Sequence, residues 1–270
     1  MNTQDIEKGH LAVNGANLYY EITGDGSPLL LIAGGLADAG QFKALGGELA
    51  GSFKVITYDR RGNSRSKSPN GWSSTNVSEQ ADDAAGLLGG LGIEAASVYG
   101  HSIGAPIALD LALRRPELIH TVTLHDPAMM SVLADPAAVM AVVGPVIEQG
   151  MKAGGPEAAA DAFYRFAAGS AIEALEPETY ERMKSDGGVL FGVEFESLSG
   201  WRPEAGALKG NRVPALLLAG SDSPPFFVEA GEWLAQRLGI AVERVPGGHG
   251  APFDHAKDVA QRIGDFVEKA

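Results

Sequence analysis

The chain has 270 residues, 45% of them hydrophobic, enough to bury the core of one large domain or of a domain carrying an insertion, which excludes a disordered protein. A formal net charge of −13 argues against nucleic acid or an anionic membrane surface as partner, since both reward clustered lysine and arginine. With no cysteine there are no disulfides, no thiolate metal sites and no cysteine nucleophile.

Residues 1–9 are polar with no apolar leader, and no run reaches the length of a membrane span, so a cytoplasmic soluble protein is expected. His10–Val13 and Ala16–Glu21 flank an Asn14-Gly15 pair, the pattern of a β-hairpin. Beyond Gly24–Pro28, short apolar runs alternate with longer amphipathic ones. Strands are predicted at Leu29–Ala33, Lys54–Tyr58, Ala96–Tyr99, Thr121–His125, Ala215–Ala219 and Ala241–Val245. Helices are predicted at Gln41–Ala50, Asn76–Leu91, Ala105–Arg114, Phe226–Leu238 and Ala256–Lys269; in the second, Val77, Ala81, Ala84, Leu88 and Leu91 recur at helical spacing. Uninterrupted apolar strands separated by helices imply the α/β class, a mostly parallel central sheet with helices on both faces.

The interval 126–211 breaks this rhythm, with helix-like stretches but no convincing strand, and is too long for a loop. It is expected to form a helical cap, or lid, inserted before the last two strands, with 1–125 and 212–270 as the core domain. Its apolar side chains, among them Met130, Met140, Phe163, Phe166, Phe191 and Phe195, read first as packing within the lid and onto the core. The sharper reading is an apolar pocket roof, for which Met129, Trp201 and Phe226 are the candidate substrate contacts.

Gly100-His101-Ser102-Ile103-Gly104 stands between a predicted strand and a predicted helix. Glycines on both sides let the backbone turn sharply and hold the serine exposed, while the helix N-terminus faces any oxyanion that develops there. A serine hydroxyl becomes a nucleophile only when a base removes its proton and a third group orients the base. His249, in Pro246-Gly247-Gly248-His249-Gly250 after the last strand, shares with Ser102 the carboxyl edge of the sheet, where open α/β sheets bind ligands. His101 is expected to point elsewhere along the turn, and His10, His120 and His255 have surface or packing readings. Two aspartates follow strands and compete as the third group: Asp126 and Asp222.

Four segments in order, Leu29-Leu30-Leu31-Ile32-Ala33-Gly34-Gly35, Tyr58-Asp59-Arg60-Arg61-Gly62-Asn63-Ser64, the Ser102 pentapeptide and the Gly-Gly-His loop, resemble the α/β-hydrolase family across nearly the whole chain. The resemblance implies that fold, with Ser102 as nucleophile, His249 as base and the acid between them in the chain. Most members carry the acid three residues after a strand-ending glycine, a position held here by Ser223. Asp222 comes one residue early and is stiffened by Pro224-Pro225. In a smaller subset that includes zearalenone lactonases the acid follows the earlier strand, and His125-Asp126-Pro127 is similar to that arrangement. Asp126 is therefore preferred and Asp222 kept as the alternative. The resemblance also implies an oxyanion hole made by the backbone N–H of Ile103 and a second donor, Gly35 or Leu36, although Ala33 stands where the family usually has histidine.

Other motifs have plain readings. Asp59-Arg60-Arg61 is a structural loop, Gly24-Asp25-Gly26 a turn, and the glycines from Gly86 to Gly92 a helix end; nothing has metal-ligand spacing, so no metal site is expected. The chain reads as a serine hydrolase acting on an ester or lactone of an apolar small molecule, with no cofactor required. Carbon–carbon bond hydrolysis, cofactor-free lyase or cyclase chemistry, and non-catalytic small-molecule binding are the alternatives, because fold does not fix function. Oligomeric state carries no sequence signal.

Overall fold

Asn14 and Gly15 both adopt left-handed backbone, φ 48° and 79°, as a two-residue hairpin turn requires, and they close β1 (Glu7–Val13) onto β2 (Ala16–Thr23). The computed structural model describes residues 6–270, so residues 1–5 of the polar N-terminal stretch lie outside the described residues. Six further strands follow: β3 (Ser27–Ile32), β4 (Phe53–Tyr58), β5 (Ala96–His101), β6 (Ile119–His125), β7 (Ala215–Gly220) and β8 (Val242–Val245). They assemble in the order β1-β2-β4-β3-β5-β6-β7-β8. Only the β1/β2 and β2/β4 pairs are antiparallel; from β4 to β8 the sheet is parallel.

The continuous apolar runs are explained by cover on both faces. Leu30 and Ile32 of β3 join one buried cluster with the helices Val77–Gly90 and Gly104–Arg114. Their neighbours Leu29 and Leu31 point the other way, into a cluster with the helices Lys43–Leu49 and Ala256–Val267. Each such leucine contributes about 1.5–3 kcal/mol when fully buried.

Helix ends follow local chemistry. The Asn76 side chain accepts the Glu79 N–H at 2.9 Å and starts the helix at Val77. The single helix expected at Gln41–Ala50 is instead a 3₁₀ turn, Ala39–Phe42, followed by an α-helix from Lys43. Asp38 is responsible, since its carboxylate caps the turn by accepting the Gly40 N–H at 2.7 Å. The last helix stops at Val267, short of Lys269.

Between β6 and β7 the chain forms the helices Pro136–Ala168, Pro177–Ser185 and Phe195–Ser199, with a π-helical turn at Leu190–Glu194. The long helix is broken at Gly154–Gly155, where Gly155 has φ 71° and Pro156 follows. An ion pair and a hydrogen bond fasten this insertion to the loops at the carboxyl ends of the strands: Arg182 Nε donates to Asp38 Oδ2 at 2.6 Å, and the Ser64 N–H donates to Asp186. No helix among the described residues is long and apolar enough to cross a membrane.

Candidate active site

β5 runs into Ser102, which has φ 56°, a left-handed conformation that non-glycine residues adopt only under constraint, at a cost of about 1–3 kcal/mol. Its N–H donates to His125 O at 3.0 Å, and its carbonyl accepts from the N–H groups of Ala105 and Ala128, both at 3.1 Å. The flanking glycines are required by contact. A Cβ at Gly100 would lie 2.3 Å from Gly104 O, and one at Gly104 would lie 2.1 Å from Ile32 O. A Cβ at Gly34 would press to 2.8 Å from Ser102 Cβ.

One strand over, β6 runs into Asp126 in the same way, with φ 45° and its N–H donating to Leu218 O at 3.0 Å. Asp126 is fully buried, and its Oδ2 lies 3.2 Å from His249 Nδ1. A carboxylate accepts, so Nδ1 carries the proton and Nε2 keeps its lone pair, the tautomer of a general base. The imidazole is sandwiched. Phe227 stacks on it in parallel at 3.7 Å, and the His101 ring lies 4.5 Å away. His101 points under the site, its Nε2–H donating to the His249 carbonyl at 2.8 Å. Burial lowers the pKa of His249 to about 3, so the ring is neutral in the resting protein.

Asp222 is exposed; its N–H donates to Gly247 O at 2.9 Å, and its carboxylate meets only the neighbouring Ser221 hydroxyl, at 3.4 Å, among the described residues. The residue that this turn sends into the site is Ser223, whose Oγ donates to Asp126 Oδ2 at 2.5 Å. Sequence reasoning gave no site role to Ser223, Phe227 or His101. Only Ser223 had a signal, its spacing after Gly220. His10 and His120 are exposed and His255 is half-buried.

Ser102, Ile103, Gly35 and His249 line one cavity with Met129, Phe226 and Phe227, under a roof supplied by the insertion that includes Val143, Phe163 and Phe195. It encloses about 670 Å³ of atom-free space counted out to its open mouth. Ser102 lines it, and among the described residues no hydrogen bond joins its hydroxyl to the imidazole. Leu36, with φ 56°, is fully buried and outside the lining. Trp201 also lies outside the lining, where its carbonyl accepts from Ser131 Oγ at 2.7 Å. The lining holds no lysine, arginine or carboxylate, and no group of three histidine or acidic residues among the described ones could hold a metal ion. The arrangement puts an imidazole bonded to an aspartate and a serine on the wall of one apolar chamber.

A family model described as alpha/beta hydrolase fold matches residues 27–256. The uncharacterized hydrolase YraK of Bacillus subtilis is 41% identical over 128 residues, 47% of each chain, so the match spans less than half of that relative's length. A zearalenone hydrolase of Cladophialophora bantiana is 28% identical over 272 residues, 96% of each chain. Among solved structures, the enol-lactonase of Burkholderia xenovorans superposes with a TM-score of 0.77 at 22% identity, covering 96% of this chain and all of that one, a likeness of fold.

Proposed function

This chain belongs to the α/β-hydrolase fold family, and from that premise we propose that it is a serine hydrolase cleaving an ester or lactone of an apolar small molecule. The observation that carries the reading is the Asp126–His249 hydrogen bond at the edge of a cavity that Ser102 also lines. In the proposed cycle His249 Nε2 takes the Ser102 proton while Oγ bonds to the substrate carbonyl carbon, and Asp126 stabilises the resulting imidazolium. The N–H groups of Ile103 and of Gly35 or Leu36 hold the oxyanion. Collapse breaks the bond to the leaving oxygen, which takes the proton from His249. Water, deprotonated by the same imidazole, then releases the acid from Ser102 and restores the enzyme.

The apolar lining supports an uncharged substrate, because a carboxylate buried there would have no cation to meet it. The name of the zearalenone hydrolase, matched end to end, supports a hydrolytic reaction. The helices of 126–211 act in this proposal as the cap over the acyl or alcohol portion. Stopped-flow release of p-nitrophenol from short and medium acyl esters tests it. Wild type gives a burst and then turnover, and Ser102→Ala loses about 10⁶-fold in kcat, to the level of binding and oxyanion stabilisation alone. Turnover by Ser102→Ala at the wild-type rate would end the proposal.

A further inference from the structure

We propose that Arg60 and Glu194 are positioning residues that hold the Ala33–Gly35 turn in the shape an oxyanion needs, so that the helical insertion itself sets the second oxyanion donor. The inference rests on the hydrolase reading above and names a part of the site that the reaction cycle leaves unassigned.

Both side chains are fully buried and joined by two hydrogen bonds, Nη1 to Oε1 at 2.6 Å and Nη2 to Oε2 at 2.8 Å. Glu194 closes the π-helical turn of the insertion, and Asn63 Nδ2 donates to its Oε1 at 2.9 Å. The other guanidinium contacts go to the turn before the cavity: Nε donates to Ala33 O at 3.2 Å and Nη2 to Gly34 O at 2.9 Å. Every described peptide is trans, so the Gly34 carbonyl and the Gly35 N–H share one plane and point in opposite directions. Drawing Gly34 O onto Arg60 therefore turns the Gly35 N–H away from Arg60, and Gly35 lines the cavity with Ser102 and Ile103. The corresponding anchor for the Leu36 N–H is weaker: Gly35 O has only a 3.4 Å contact from Gln41 Nε2. Leu190 presses on the turn from the start of the same π-helical segment, its Cδ1 2.9 Å from where a Cβ of Gly35 would stand.

Stability alone gives little reason for such a pair, because an apolar pair of similar volume is often as stable as a buried ion pair. A planar, five-donor guanidinium does what an apolar side chain cannot, holding two carbonyls and a carboxylate in fixed directions.

The test compares wild type, the apolar pair Arg60→Met/Glu194→Leu, and Glu194→Gln, each by Tm and by kcat and KM on p-nitrophenyl esters. The expected result is a double variant that keeps a cooperative melt, loses about 10- to 100-fold in kcat as a misplaced oxyanion donor does, and keeps its KM. Wild-type kcat in a folded double variant overturns the proposal. Should that variant fail to fold, Glu194→Gln decides by the same split, because it keeps the side-chain shape while setting an amide against Arg60. Ester turnover that Ser102→Ala retains at the wild-type rate withdraws the hydrolase reading itself, whereas equal kcat across folded variants of the pair withdraws only the role of the pair.

Discussion

The turn after β6 and the turn after β7 each place an aspartate within two residues of the strand end, yet Asp126 is fully buried against His249 while Asp222 is exposed to solvent. The hydrogen-bonding of the turns accounts for the difference. Asp126 extends the β6/β7 ladder by one rung, its N–H on Leu218 O, and its left-handed φ swings the carboxylate into the site. After β7, Ser221 and Asp222 donate instead to Val245 O and Gly247 O, on the side of β8 and the histidine loop. That pairing brings Ser223, not Asp222, against the Asp126 carboxylate. An aspartate at a strand end thus has no fixed role; the neighbouring strand that its backbone joins decides where its carboxylate goes.

The largest expected contrast between the two turns is in kcat. Asp126→Asn should lower it by about 10⁴-fold, because an amide at that position favours the wrong histidine tautomer, while Asp222→Asn leaves it unchanged. The reverse pattern on p-nitrophenyl esters would break the comparison outright. A smaller effect sharpens it. Ser223→Ala removes a hydroxyl donor from a buried carboxylate, a loss worth about 1.5–3 kcal/mol, or roughly 10- to 100-fold if it falls on the transition state. Ser223→Thr should restore most of that rate; no loss in the alanine variant would reduce the β7 turn to packing.

The last effect is on stability rather than on rate, and it depends on pH. Burial lowers the pKa values of His101, His125 and His249 to about 3, from 6.5 for a free imidazole. Between these values the unfolded chain binds protons that the fold does not, so the contribution is fully present above pH 6.5 and is lost as pH falls toward 3. Each ring adds a slope of about 1.4 kcal/mol per pH unit. Urea melts at pH 7 and pH 5 should show lower stability at pH 5, and His101→Gln should flatten the difference. Equal stability at both pH values would mean that these rings titrate normally in the fold.

Much of the fold was legible because its causes are local. The Asn14-Gly15 turn, the apolar strands and the Val77 to Leu88 periodicity depend on residues a few positions apart, and each predicted strand appears with ends moved by three residues at most. The exception at Gln41–Ala50 has a local cause too, the Asp38 cap. At the site, Gly100 and Gly104 were readable because only glycine clears the contacts of a strand-to-helix turn. Trp201 illustrates the opposite case. An aromatic in a helical insertion satisfies a pocket and a packing reading equally, and in the fold it stands outside the cavity lining.

What the sequence by itself determined is therefore the alternation of strand and helix, the family, and the order of serine, aspartates and histidine along the chain, since periodicity, turn chemistry and motif order are written within short stretches. Only the tertiary structure decided which aspartate meets His249, that Ser223 meets the same carboxylate, and that Arg60 finds Glu194 across 134 positions of chain. Those meetings depend on the register of parallel strands and on the way the insertion folds back over the sheet, relations among distant segments that no local pattern encodes.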